Sequence, residues 1–158
     1  MNSLVFPFRL LLCVGFALVA RLAIADTAQL DQAFSTTDLQ IATPDARLHR
    51  FRVWVAEDDQ QRQRGLMFVK HMEDDQGMLF VYPETQIITM WMKNTYLSLD
   101  MVFIGPDGRV VHVAKDTKPM SLETIDSKKP ASAVLELKAG MAERLRIGPG
   151  AQVIAGKQ

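Results

Sequence analysis

Cysteine is almost missing from this chain: Cys13 is the only one in 158 residues. It falls in an N-terminal apolar run, Leu10 to Ala20, that follows Arg9 and precedes Ala23-Ile24-Ala25. A positive start, a short apolar stretch and a small-x-small tripeptide make a secretory signal peptide, residues 1–25, cleaved after Ala25. A membrane anchor needs roughly twenty uninterrupted apolar residues, and Arg21 interrupts these. Lipid attachment at Cys13 would require a small residue before it, where Leu12 stands. The mature chain therefore has neither a disulfide nor a thiolate, and must fold by burial alone in a compartment that permits disulfides. It is expected to be exported: periplasmic in a Gram-negative source, otherwise secreted, with no transmembrane segment in the mature protein.

An excess of positive charge is also missing. Removing residues 1–25 takes away Arg9 and Arg21 and leaves 16 basic against 18 acidic side chains over 133 residues. A near-neutral chain without a basic stripe argues against nucleic acid as a partner. Zinc spacing is lacking, because His49, His71 and His112 are scattered. There is no phosphate-cradling glycine loop, no nucleophile elbow and no dinucleotide fingerprint. No cofactor is indicated. Catalytic residues are not identifiable, and whether the chain is an enzyme stays open with a leaning against.

What is present reads mainly as strand. Residues 26–37 are polar, without a clear period, and read as a mobile leader; residues 38–158 then form a single domain. Leu39 and Ile41 alternate with polar residues. In Leu48 to Val55, Phe51, Val53 and Val55 share one face, while Arg50, Arg52 and Trp54 share the other, as in a half-buried strand. Asp58 or Asp59 caps a short helix over Gln60 to Arg64, ended by Gly65. Further strands are expected at Gly77 to Tyr82 (stopped by Pro83), Ile87 to Met92, Leu99 to Ile104, Arg109 to Ala114, Ala133 to Leu137 and Gln152 to Ala155. Gly105-Pro106-Asp107-Gly108 makes a hairpin turn. Lys115 to Pro130 reads as a long loop, and Met141 to Leu145 as one helical turn. These elements predict a mainly β, single-domain antiparallel β-sandwich or distorted β-barrel with one or two short helices.

The chain carries four ordered blocks: Arg62-x-x-Gly65-Leu66-Met67, Gly77-Met78-Leu79-Phe80, Trp91-Met92-Lys93-Asn94-Thr95 with Leu99-Asp100, and Val134-Leu135-Glu136-Leu137 with Gly140. In these it resembles domain of unknown function 192 over roughly Val53 to Val153. The resemblance implies a small β-rich domain, often exported, with no assigned biochemical role. Two positions depart from that pattern: Ser98 stands where a proline often precedes the Leu-Asp pair, and Ala151 where an aspartate is usual.

Polar residues inside apolar strands are costly unless paired. Lys93 and Asp100 are expected to meet, with Asn94 beside them. One reading is a structural knot holding the Asn94-to-Ser98 turn, and the other is a ligand or acid–base pocket. Arg62, projecting towards the sheet, is expected to pair with Glu136 or Asp100, or to hold an anion. The candidate ligand-binding set is Arg62, Met67, Trp91, Lys93, Asn94, Asp100 and Glu136. A hydrolase-like envelope enzyme using Asp100 and Lys93 is the alternative to a module that binds a small molecule or an envelope protein. Met90 and Met92 with His71 and Met72 offer soft ligands of the kind that suit Cu(I), although core filling explains methionine more simply.

Overall fold

The computed structural model describes residues 28–155; the proposed signal peptide and its cleavage site lie outside them. The fold is mainly β and forms one domain. Among the described residues nine strands occur in chain order: β1 Ser35–Ala42, β2 Leu48–Ala56, β3 Gln76–Gln86, β4 Thr89–Met90, β5 Leu99–Ile104, β6 Val110–Ala114, β7 Ile125–Asp126, β8 Ala131–Lys138 and β9 Gln152–Ala155. Seven build one sheet in the order β6-β5-β8-β3-β2-β1-β9, while β4 and β7 pair separately. Every pairing is antiparallel except β2 with β3. That parallel step is bridged by the short helix Asp59–Arg64, a crossover that the sequence reading did not anticipate.

The sheet curls into a half-barrel. Leu39 and Ile41 of β1 share a core with Val102 and Ile104 of β5 and Val110 of β6, although these strands lie towards opposite ends of the sheet. Only a curled sheet brings them together. Its two edges are stitched where Arg109 bridges Gln152. There the Val110 N–H donates to the Ala151 carbonyl at 2.9 Å and the Val153 N–H to the Gly108 carbonyl at 2.8 Å. The opposite face carries a second core of Trp54, Met78, Phe80, Met101, Phe103 and Val134, roofed by Leu66, Met72, Ile88 and Met92.

Two apolar cores on one sheet explain why β5 lacks alternation. Leu99, Met101 and Phe103 enter the outer core, Val102 and Ile104 the inner one, and the whole strand is buried. Gly77 of β3 permits the close pairing with β8, since a Cβ there would stand 2.6 Å from the Glu136 carbonyl oxygen.

Three expectations are corrected. Strand β3 does not stop at Pro83 but continues to Gln86 through a register shift after Val81. A proline is tolerated where ladder pairing is already interrupted. Strand β4 is two residues long, not the six of Ile87 to Met92. Trp54 does not face solvent with Arg50 and Arg52. Residues 28–33 are helical, within the stretch read as a leader, and β1 begins at Ser35. This segment buries Leu30 and Phe34 against Trp54, whose indole N–H donates to Asp31 at 2.8 Å. Among the described residues, short helical segments number three.

Candidate functional site

A cavity of about 370 Å³ opens on the outer face of the sheet. Its floor is Phe80 and Tyr82 of β3 and Glu136 of β8; one wall is the helix Asp59–Arg64 with Gly65, Leu66 and Met67, and the other is the segment from Thr89 to Thr95. The helix is placed by a capping box: Asp58 accepts from the Gln61 N–H at 2.7 Å, while the Gln61 side chain accepts from the Asp58 N–H. Gly65 ends it at φ +44°, a left-handed conformation, and a Cβ there would press on the Phe80 ring at 3.0 Å. Removing a side chain at that point is what lets the helix end sit down on the strand.

Glu136 is the unusual residue. It is 4 % exposed, and among the described residues its carboxyl has neither a hydrogen-bond partner nor an ion-pair partner. Burial pushes its pKa up to about 8, and none of the rim cations offsets that effect. At neutral pH it is mainly a protonated acid, able to donate a hydrogen bond. Burial also raises the Tyr82 phenol, against the pull of Arg62 and with a smaller push from Glu136. The Tyr82 hydroxyl rests on the Met90 sulfur at 3.4 Å.

Three cations border the cavity. Arg62 is not paired with Glu136 or Asp100 as expected. It donates to the Glu57 and Val81 carbonyls, the latter at 2.7 Å, pairs with Asp59, and lies 5.2 Å from the Tyr82 ring centroid. Arg64 sits over Phe34 at 5.4 Å, and Lys93 over Trp91 at the same distance. Among the described residues neither Arg64 nor Lys93 has an acidic partner.

The expected meeting of Lys93 with Asp100 does not occur. Asp100 points to the other side of the sheet, fully buried, where its carboxylate accepts the Asp116 N–H at 2.9 Å and the Ala142 N–H at 2.8 Å. Both oxygens are satisfied by backbone, so a ligand has nothing to claim. Asn94 also stays out of the cavity. It occupies a turn at φ +55°, its carbonyl accepts the Phe68 N–H at 2.9 Å, and its amide leans on the Met67 sulfur at 3.8 Å. Arg62, Met67, Trp91, Lys93 and Glu136 do come together. Tyr82 and Arg64 were missed as site residues. Tyr82 lies two positions beyond Phe80 on the same face of the expected strand, a period that could have found it.

The four soft ligands do not line one cavity. Met92 is fully buried and its sulfur accepts the Thr117 hydroxyl at 3.2 Å, whereas Met90 faces Tyr82. Met72 belongs to the roof of the outer core, and His71 has interactions of its own.

The DUF192 family, described as "Uncharacterized ACR", matches residues 40–155. The chain belongs to this family. Its blocks converge on the cavity: Arg62, Gly65, Leu66 and Met67 from the first, Phe80 from the second, Trp91, Lys93 and Thr95 from the third, and Glu136 from the fourth. Two crystal structures are similar to this DUF192 chain. One, from Sinorhizobium meliloti 1021, is described as a "putative transcription regulator"; it is 41% identical, with 77% of this chain and 95% of that one covered at a TM-score of 0.76. The other, a protein of unknown function from Novosphingobium aromaticivorans DSM 12444, is 33% identical, with 75% and 84% covered at a TM-score of 0.73. No curated protein is detectably similar to the chain.

Proposed function

We propose that this DUF192 protein is an exported small-ligand binding module of the cell envelope. The observation that carries the reading is Glu136: a buried carboxyl without a protein partner, at the floor of a cavity large enough for a small molecule. Its carboxyl lines the cavity, where a ligand can supply the hydrogen bond that no protein group makes. Asp100 takes no part in this reading, because backbone N–H groups already occupy its carboxylate. The Sinorhizobium relative's description as a regulator is consistent with an effector pocket. It brings no reason to invoke DNA contact, given the near-neutral charge of the mature chain.

Residue-resolved NMR of the 15N-labelled protein against a set of acidic, basic and neutral fragments tests the binding. Shifts should cluster at residues 62–67, 89–95 and 136; shifts scattered elsewhere, or none with any fragment, would remove the proposal. Export is tested separately by expressing the full chain in a Gram-negative host and measuring the mass of the periplasmic product. A mature N-terminus at Asp26 is expected, and an uncleaved cytoplasmic product would refute export.

One observation favours a second reading. A carboxyl that stays protonated at neutral pH is suited to general-acid catalysis, so an envelope hydrolase would use Glu136 rather than Asp100. Turnover abolished by Glu136→Gln, with ligand binding retained, would establish it.

A further inference from the structure

The arrangement of charge in the cavity narrows the ligand's chemistry. The groups facing Glu136 are Tyr82 of β3, Arg62 and Arg64 with Asp59 at the rim from the helix, and Lys93 from the opposite wall; β5 contributes only Met101 beside it. Arg62 is consumed by two carbonyls and Asp59. Arg64 and Lys93 have only aromatic rings as partners among the described residues. The acid on the floor and these cations at the rim line one cavity. Each end lacks the complementary group that an intervening molecule would bring.

We propose that the cavity takes a small organic carboxylate, one oxygen accepting the Glu136 O–H and the other facing Arg64 and Lys93. Its hydrocarbon or ring portion then lies against Trp91 and Met67. This rests on the reading of the cavity as a binding site and adds the ligand class. An ammonium compound fits poorly: Asp59 is already paired with Arg62, and ionising Glu136 would still leave the ligand facing Arg64 and Lys93. A phosphate dianion fits less well than a carboxylate. It wants several converging N–H donors, and the cavity has no glycine-rich loop to supply them. A cavity of about 370 Å³ also matches a single small molecule rather than a polymer. Ionisation of Glu136 would place a negative charge against the ligand's own and expel it, so capture belongs to neutral and acidic conditions.

Three probes of one shape separate these options: benzoate, benzamide and benzylamine, titrated by calorimetry and by residue-resolved NMR at pH 6 and pH 9. Benzoate should shift residues 62–67 and 89–95 at pH 6 and bind at least about tenfold more weakly at pH 9. Benzamide and benzylamine should bind at least about tenfold more weakly than benzoate at pH 6. Glu136→Gln keeps a donor but cannot ionise, so its benzoate affinity should be level across the two pH values. Arg64→Ala/Lys93→Ala should lose about tenfold in benzoate affinity with an unchanged melting profile. Benzamide or benzylamine binding as well as benzoate, or benzoate binding that improves with pH, overturns the ligand class while leaving a binding site in place. Silence of all three probes at those residues overturns the ligand class, and the binding reading also falls if the wider fragment set is silent.

Discussion

The carboxylate of Asp100 accepts the backbone N–H of Ala142 at 2.8 Å, tying the start of β5 to the one-turn helix Met141–Arg144. With its second bond, to the Asp116 N–H, the same side chain holds the turn that follows β6. A single acid thus fastens three chain segments distant in sequence, and it does so beneath the surface.

Asp100→Asn should cost about 2–4 kcal/mol of unfolding free energy, because an amide has one acceptor oxygen for two buried donors and turns its NH₂ on the other. Urea unfolding measures this. Ligand binding at the outer cavity should survive wherever the variant is folded. A change under 1 kcal/mol would show that the knot is dispensable.

Glu136 makes stability fall as pH rises. Its folded pKa, about 8, lies above the ordinary 4.5, so between those values the folded state holds a proton that the unfolded state has released. The contribution is fully present below about 4.5 and is lost through about 8, amounting to a few kcal/mol. Melting temperature should decline from pH 5 to pH 8.5, and Glu136→Gln should flatten that decline. A parent as pH-insensitive as the variant would contradict the buried, unpaired acid.

On the acid side the sign reverses. Asp74 is held below its ordinary 3.8 by hydrogen bonds from Lys138 and Arg144, so its contribution is present above that value and fades as pH falls. All three groups are exposed enough for salt to screen them. Asp74→Asn should therefore leave the urea midpoint at pH 7 nearly unchanged, and less changed still in high salt. A larger loss would point to a structural role for the Lys138–Asp74–Arg144 fork.

Gly77→Ala should be severe. The added methyl would stand 2.6 Å from the Glu136 carbonyl oxygen, which is backbone and cannot swing away. Loss of about 2 kcal/mol or more is expected by chemical denaturation. An unchanged midpoint would mean that β3 and β8 can part at little cost.

Much of the architecture was legible beforehand. The hairpin at Gly105 to Gly108, β2 and the capped helix follow from turn chemistry and alternation. Charge logic alone misplaced the site. It joined Lys93 to Asp100 because both interrupt apolar sequence seven residues apart, without allowing that backbone N–H groups satisfy an acid as well as a lysine does. Strand parity is the corrective. Asp100 falls on the inner face with Val102, whereas Glu136 shares the outer face with Val134. Trp54 was read as solvent-facing for a related reason, since periodicity within β2 cannot show that residues 28–34 return to cover it.

The seam at Arg109 and Gln152 bears on how this molecule avoids its own kind. Sheets end in strands with idle backbone groups that recruit neighbouring chains, and a protein without disulfides has no covalent lock to prevent fraying. Here β9 lies along β1 and reaches across to the hairpin before β6, so one short strand touches both borders. Clipping after Gly150 would expose two sticky margins at once, and self-assembly into fibrils would be the natural fate of the trimmed product.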